Sequence, residues 1–277
     1  PVHSGCRSNS AETGRISGMS GLLQGQVIVN TRPLHQQAGL TALLQAEGAQ
    51  LLAIPAIKIV EVEASEFHRN LAKRIGDYQI AIFISGNAVE AAFRYLSEAD
   101  LPADMQLGVI GEGTRALLAQ KIVDLDRRLI RSDLFNSEGL LGASELQQVS
   151  GKRLLIFRGQ EGRSLLGDEL SARGAEVNYC EVYRRESPQI DAELLAQQLE
   201  AATPTLVVFT SNEGMHNLLG MLDATCRARF MTIPWLLISE RMRESALKLG
   251  HNASIIITNH ASDDGIHQTI CDWATQQ

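Results

Sequence analysis

Short apolar runs alternate with amphipathic segments along most of the chain. Residues 27–30 form a β-branched run that ends at Thr31-Arg32-Pro33. Leu40 and Leu44 then place apolar side chains at helical spacing before Gly48 ends the segment. This order recurs, and the predicted strands are 27–30, 51–55, 80–84, 107–110, 154–157, 206–209, 236–238 and 254–257. Because apolar strands that alternate with helices are typical of parallel sheets covered on both faces, the pattern predicts a doubly wound α/β fold.

The chain also repeats itself at a constant distance of 126 residues. Four segments pair in this way: Arg32 with Arg158, Gly48-Ala49 with Gly174-Ala175, 83–85 with 209–211 and, with a one-residue slip, 137–140 with 262–266. A constant offset favours two α/β domains of similar build over one continuous domain. The alternative, that any two βα units look alike, explains the composition but not the offset.

The composition is that of an ordinary globular protein, with 277 residues, 44% hydrophobic and 21% charged side chains. Acidic residues outnumber basic ones and give a net charge of -7, so the chain lacks the basic surface that attracts duplex DNA or anionic lipid. The longest apolar runs fall far short of the roughly 18 to 20 residues that a membrane-spanning helix needs. We therefore expect neither nucleic acid nor a membrane as a partner.

The cysteines and the N-terminal segment indicate where the protein works and where its fold begins. Cys6, Cys180, Cys226 and Cys271 contain no closely spaced pair that would hold a metal or form a redox disulfide. We expect reduced thiols in a cytoplasmic protein. Residues 1–26 are rich in Ser and Gly and lack an apolar period, so they are predicted to form a flexible extension.

Polar, small and basic residues follow the predicted strands at their carboxyl ends. In open parallel sheets this edge binds the ligand, because helix N-termini point unpaired N–H groups at it. The candidate ligand-binding residues are Arg32, Ser85, Gly86, Asn87, Gly111, Thr114, Arg158, Gly159, Ser211, Asn212 and Ser239. Ser, Thr, Asn and Gly are also ordinary helix-cap residues, so a structural role stays open for each of them. Together they predict a cleft for a ligand with several carboxylates or phosphates.

Other kinds of chemistry have weaker signals. Residues 111–116 match a Gly-x-Gly-x-x-Ala dinucleotide loop, but such a loop normally opens the first βα unit of its domain, and Glu112 would bring a carboxylate to the pyrophosphate. The seven histidines show no metal-ligand spacing, and no serine lies in a Gly-x-Ser-x-Gly elbow. Nicotinamide, metal and acyl-enzyme chemistry are therefore disfavoured. Arg184-Arg185 stays open between a solvated charge pair and a substrate clamp.

Six motifs occur in a fixed order along the chain. They are VNTRP at 29–33, FISGNAV at 83–89, IGEGT at 110–114, NSEGLL at 136–141, VYRR at 182–185 and FTS at 209–211. In this order and spacing, the chain from residue 27 onward resembles the uroporphyrinogen-III synthase family. The resemblance implies two α/β domains joined by a two-stranded connector. The implied bounds are 27–55 with 187–277 for domain one, 58–180 for domain two, and about 54–60 and 178–186 for the connector.

The resemblance also implies the reaction. In that family hydroxymethylbilane, a linear tetrapyrrole with eight carboxylates, is cyclised to uroporphyrinogen III with inversion of its last pyrrole, and no cofactor is used. The implied catalytic residue is Tyr183, which would face the cleft and hydrogen-bond the departing hydroxyl; a packed connector aromatic is the alternative reading. Arg32 and Arg158 would bind carboxylates, and changes at Ser85, Ser211 or Ser239 would cost little because backbone donors remain. We expect a monomer that binds only this small molecule.

Two features depart from the pattern of the family. Met242 stands where the family commonly has a threonine, and Asp263-Asp264 adds negative charge near the predicted anion cleft. The second hypothesis is a non-catalytic two-domain protein that closes on a small polyanion. Conversion of the bilane to the type III isomer distinguishes the two, because a binding protein would retain the ligand without converting it.

Overall fold

The computed structural model describes residues 21–132, 136–160, 162, 164–258 and 260–277. In these ranges ten strands form two five-stranded sheets. The strands are β1 (Val27–Asn30), β2 (Gln50–Ala53), β3 (Lys58–Glu61), β4 (Ile80–Phe83), β5 (Gln106–Val109), β6 (Arg153–Gly159), β7 (Glu176–Glu186), β8 (Leu206–Phe209), β9 (Trp235–Leu237) and β10 (Ile255–Ile257). Domain one contains the sheet β10-β9-β8-β1-β2, and domain two contains the sheet β3-β7-β6-β4-β5.

Helices follow most of the strands. They are α1 (Ala38–Ala46), α2 (Glu66–Arg69), α3 (Leu71–Arg74), α4 (Gly86–Ala92), α5 (Glu112–Ala119), α6 (Ser137–Gly142), α7 (Leu165–Ala172), α8 (Ala192–Ala202), α9 (Asn212–Met221), α10 (Ala224–Phe230), α11 (Glu240–Lys248) and α12 (Asp263–Ala274). Within the described ranges, no helix combines the length and the apolar character needed to cross a membrane.

Both faces of each sheet are buried. In β8, Val207 and Phe209 belong to one apolar cluster, whereas Leu206 and Val208 belong to another on the opposite face. Every residue of such a strand packs under helices, which is why the strand appears in the sequence as an unbroken apolar run. All strand pairs are parallel except β3 with β7. The predicted doubly wound fold with two α/β domains is confirmed.

The 126-residue repeat is preserved in the strand registers. Val27 pairs with Gln50 between β1 and β2, and Arg153 pairs with Glu176 between β6 and β7. Both residues of the second pair lie 126 positions after those of the first. The pairs Ile28–Leu206 and Leu154–Ile80 obey the same rule, with the partner strand exchanged between the repeats. Each domain therefore takes two strands from one repeat and three from the other.

The helix caps show that no slip is needed in the last repeated segment. Asn136 Oδ1 accepts the N–H of Gly139 at the start of α6, and Ser262 Oγ accepts the N–H of Gly265 at the start of α12. Both the cap residues and the donors lie 126 positions apart. The one-residue slip predicted from Ser137 and Ser262 is wrong, because the two serines occupy different positions relative to their helices.

The connector is continuous with the sheet of domain two. The first part of β7 runs parallel to β6, and its last residues pair antiparallel with β3, from Lys58–Glu186 to Glu61–Tyr183. Residues 54–57, which the sequence places in the connector, lie outside the strands. The predicted domain bounds stay a prediction that the membership of the two sheets supports.

Part of the predicted extension is folded. Residues 1–20 lie outside the described residues. Leu23 is fully buried in the core of domain one, and its N–H donates to the Glu47 carbonyl at 2.9 Å. The boundary predicted at residue 26 is therefore too late, because a single buried leucine in a Ser- and Gly-rich segment gives no periodic signal.

Candidate active site

Two contacts bring the carboxyl ends of the sheets together. Asn87, in the first turn of α4, has its Oδ1 at 2.7 Å from His35 Nε2 and at 3.1 Å from Gln36 Nε2, both in the turn after β1. Arg185, at the connector end of β7, has its Nη1 at 3.1 Å from Glu213 Oε2 on α9. Asn87 and Glu213 lie 126 positions apart, so one residue of each contact occupies an equivalent position in the repeats, whereas their partners do not. They border a cleft between the domains.

Arg32 forms the domain-one side of the cleft. Its Nη1 makes an ion pair with Asp263, the first residue of α12. The arginine is held from behind because its carbonyl accepts a hydrogen bond from Gln37 Nε2 at 2.6 Å. Arg32, Asp263 and Gln36 line a cavity of about 230 Å³ that Asn87 closes from domain two. The predicted partner of an anion is thus present, but a carboxylate of the protein already neutralises it.

Arg158 forms the corresponding side in domain two. It is only 8% exposed, and it donates through Nε to the Gly159 carbonyl at 3.2 Å and through Nη2 to the Gly162 carbonyl at 2.7 Å. Its guanidinium lies 4.5 Å from the centre of the Tyr179 ring, and Nε is 3.6 Å from Glu181 Oε1. These contacts fix the side chain beside a second cavity of about 230 Å³.

The resemblance implies that Tyr183 faces the cleft, but in the structure its side chain is not open to the cleft. The side chain is 2% exposed and packs in the core of domain two. Its ring lies against Gly159, where an added Cβ would come within 2.7 Å of the ring carbons. The phenol oxygen is 3.0 Å from Oγ of the half-buried Ser85, so it reaches the cleft only through that hydroxyl. The predicted orientation is wrong because β7 is covered on both faces at this point.

The remaining predicted residues are mainly caps. Ser211 Oγ accepts the N–H of Gly214 at 3.0 Å, and Ser239 Oγ accepts that of Met242 at 3.3 Å. Met242 is buried in the core of domain one, so an apolar side chain suits the position at which the family commonly has threonine. Neither serine lines the two arginine cavities.

Asn212, Gly86, Gly111 and Thr114 differ in what they offer a ligand. Asn212 Oδ1 is buried and lacks a hydrogen-bond partner among the described residues. Gly86 lines the first cavity. Gly111 has a φ of +90°, which favours glycine, and Thr114 is buried, so its hydroxyl is not open to a ligand. Binding by the Thr114 side chain stays a prediction, which the burial of its hydroxyl does not favour.

Arg32, Arg158 and Arg185 each form an ion pair with an acidic side chain of the protein. The sequence does not reveal that Glu181 and Glu213 are two of these partners. Arg184 pairs with Glu186 near the surface, whereas Arg185 lines the second cavity and bridges to Glu213. Arg184 therefore fits a solvated charge pair, whereas a role as substrate clamp stays a prediction for Arg185. The sequence predictions also missed three residues of the site, His35, Gln36 and Tyr179. Gln36 could have been found, because it lies 126 positions before Gly162 and the two residues line equivalent parts of the two cavities.

Two observations bear on nucleophilic and metal chemistry. Burial raises the pKa of the Cys180 thiol to about 12, so it stays protonated in the core beneath the cleft. The described part of the chain holds no group of three or more His, Cys, Asp or Glu side chains that could bind a metal ion. The cleft offers arginines and a phenol that is hydrogen-bonded to a serine.

Comparisons with known proteins show which family the chain resembles. The family model for uroporphyrinogen-III synthase HemD matches residues 38–266. Uroporphyrinogen-III synthase from Escherichia coli (strain K12) is 30% identical over 240 residues, which cover 86% of this chain and 97% of the relative. The Salmonella typhimurium enzyme is 32% identical with the same coverage of both chains.

Solved structures agree in fold. A crystal structure of a mutant uroporphyrinogen III synthase from the extremely thermophilic bacterium Thermus thermophilus has a TM-score of 0.56 at 15% identity and covers 91% of this chain and 99% of that one. The Helicobacter pylori 26695 synthetase also has a TM-score of 0.56, at 12% identity and with 90% and 99% coverage. The family model and the two relatives establish the conclusion that this fold accompanies: the chain belongs to the uroporphyrinogen-III synthase family.

Proposed function

We propose that this protein cyclises hydroxymethylbilane to uroporphyrinogen III, with inversion of the terminal pyrrole. The observation that carries this proposal is a proton donor, Tyr183 through Ser85, placed between the two arginine cavities of the cleft: the neighbours of Ser85 in sequence, Ile84 and Gly86, each line one of them. A linear tetrapyrrole with eight carboxylates needs cations to bind and fold it, and its electron-rich rings need little covalent help. The enzyme's contribution is mainly positioning, which can be a large effect.

The first chemical step is loss of the terminal hydroxyl. When the Tyr183 phenol donates to Ser85 Oγ, the serine hydrogen is free to point at the departing oxygen, because Oγ also accepts the N–H of Ala88 at 3.2 Å. Ser85 passes its proton to the leaving group and takes one from Tyr183, so the hydroxyl departs as water. The Arg185 guanidinium, 6.0 Å from the centre of the phenol ring, stabilises the negative charge that then develops.

The carbon skeleton rearranges without further protein nucleophiles. The azafulvene cation left by the hydroxyl is attacked by the substituted α carbon of the far terminal ring, which gives a spiro intermediate. Fragmentation and reclosure at the other α carbon invert that ring, and loss of one proton from it returns a proton to the phenolate. Holding both ends of the bilane in the cleft favours this path over simple end-to-end closure, which would leave the ring uninverted.

The isomer formed tests the proposal. Incubation with freshly prepared hydroxymethylbilane, followed by oxidation and chromatography of the porphyrins, is expected to give the type III isomer. A buffer control without protein should give type I, because the bilane closes spontaneously without inversion. Type I alone in the presence of folded protein would overturn the proposed function, and tight binding of the bilane without conversion would favour the binding-protein hypothesis.

We also propose that the protein acts as a cytoplasmic monomer without a cofactor, with the bilane as its partner. The support is that both walls of the cleft come from one chain. Light scattering after size exclusion should give a mass near 30.2 kDa, and activity should survive exhaustive dialysis against a chelator. A dimer mass or a loss of activity that only a metal restores would contradict this.

A further inference from the structure

The two cavities of the cleft have matching walls. Each has a volume of about 230 Å³. Four residues that line the first cavity have counterparts 126 positions away in the walls of the second: Arg32 with Arg158, Gln36 with Gly162, Gly39 with Leu165, and Asp263 with Ser137. The identical registers of β1–β2 and β6–β7 explain this match, because they place equivalent residues at equivalent points of the two sheets.

Each cavity keeps a fixed guanidinium opposite a protein carboxylate. Arg32 meets Asp263, and Arg158 meets Glu181. The acids come from non-equivalent positions, one on α12 and one on β7, so the two repeats retain the arginine but supply its counter-ion differently. A ligand carboxylate binds a guanidinium with the same fork geometry as Asp or Glu and can therefore take the place of either acid.

We propose that the cleft consists of two repeat-related half-sites, the Arg32 half-site and the Arg158 half-site, each of which binds the carboxylates of one pair of adjacent pyrroles. This inference rests on the proposed function and deepens it. Hydroxymethylbilane is itself a chain of four similar rings, so two similar half-sites match its two halves. Carboxylates of the substrate exchange with Asp263 and with Glu181 when it binds.

The two repeats differ at the position of the proposed proton donor. The position equivalent to Tyr183 in the first repeat is Ile57, and the position equivalent to Gly159 is Pro33. Gly159 leaves the space that the Tyr183 ring occupies, whereas the Ile57 side chain packs near Gly214. Of the two half-sites, only the Arg158 half-site therefore has the phenol. This half-site binds the end of the bilane that carries the departing hydroxyl.

Half of the substrate tests the two half-sites. Isothermal titration of the full chain with a synthetic dipyrromethane, which carries four carboxylates, should give two equivalents bound. Arg32→Gln and Arg158→Gln should each reduce this to one. Arg127→Gln in domain two and Arg227→Gln in domain one, both at exposed arginines away from the cavities, should leave two equivalents. One equivalent in the unaltered protein, no binding, or loss of the same equivalent in both variants would overturn the inference.

The acidic partners provide a second measurement that does not depend on the fold of the arginine variants. Asp263→Asn and Glu181→Gln each remove the competing carboxylate and should tighten dipyrromethane binding at one half-site by about 3- to 30-fold. Weaker or unchanged binding in both would contradict carboxylate exchange. The isomer assay on the same preparations separates the two proposals: type III product with a single dipyrromethane site rejects the half-sites and keeps the function, whereas type I product alone rejects the function.

Discussion

The hydrogen bond between Tyr183 and Ser85 joins two side chains whose separate loss should slow catalysis to a similar degree. Tyr183→Phe removes the proton source and Ser85→Ala removes the relay, so each should lower kcat about 10- to 1000-fold. The double variant should be no slower than the worse single one, because both act on the same proton. Steady-state kinetics with circular dichroism checks this.

A matched control lies in the same domain. Tyr78 donates its OH to Asn178 Oδ1 away from the cleft, so Tyr78→Phe should leave kcat unchanged and lower only stability. A fully active Tyr183→Phe variant, or additive losses in the double variant, would rule out the relay. The sequence alone predicts a small effect at Ser85, and the contact with Tyr183 changes that expectation.

His251 makes stability depend on pH. The imidazole is buried and stacked on Trp235 with 3.9 Å between ring centres, and burial lowers its pKa from the ordinary value of 6.5. Because the unfolded chain binds this proton more readily, the native state should lose stability as the pH falls below about 6.5, by at most about 1.4 kcal/mol per pH unit. The loss should stop below the lowered pKa of the native state.

Denaturant unfolding at pH 7.5 and 5.5 measures this effect. His251→Phe keeps an aromatic ring on Trp235 without the titrating group, so its stability should fall less between the two pH values than that of the unaltered protein. His216→Asn, at an exposed histidine of α9, should retain the full dependence. An unchanged pH dependence in His251→Phe would assign the acid sensitivity to other groups.

The sequence predicts which residues follow the strands, but it does not predict which side chains surround them. Arg32 and Arg158 follow predicted strands and do reach the cleft. Burial of Tyr183 and Thr114, and the acids beside the arginines, depend on which segments pack together across more than a hundred residues. Local polarity carries no information on such distant partners.

The packing of β6 against β7 depends on a glycine. Gly159 ends β6 where the register with β7 shifts, and an added Cβ would strike the Tyr183 ring at 2.7 Å. Gly159→Ala should therefore cost about 1 to 3 kcal/mol of stability and lower kcat by displacing the phenol. Gly76→Ala, with open space around the added carbon, should do neither. A fully stable, active Gly159→Ala enzyme would show that the ring can move aside freely.

Regular elements with strong periodicity were within reach of the sequence, and most observed strands agree with the predicted ones to within about two residues. The exceptions are β3 and the two-part pairing of β7. Lys58–Glu61 and the end of β7 are half-exposed and mixed in polarity. Their pairing is decided by the meeting of two distant segments, which no short window of sequence records.

Among the described residues, the contacts that join the two domains across the cleft are few. Asn87 with His35 and Gln36, and Arg185 with Glu213, are exposed or partly buried pairs of the kind that contribute little stability. We expect the domains to move relative to each other and to close on a ligand. Small-angle scattering should show a smaller radius of gyration with uroporphyrinogen III bound, and Asn87→Ala should enlarge it without ligand. Identical profiles in all three samples would indicate a rigid molecule.

The exchange of halves between the repeats has a consequence for how the polypeptide must assemble. A cut between Ser150 and Gly151, in an exposed turn, separates the repeats. Neither fragment should fold alone, because each holds only two or three strands of each sheet, whereas the co-expressed fragments should recombine into one active heterodimer. Independent folding of either fragment, judged by circular dichroism and cooperative melting, would contradict this. By the same geometry, a half-length polypeptide with this repeat would complete both sheets only by dimerising, and its cleft would lie on a molecular two-fold axis.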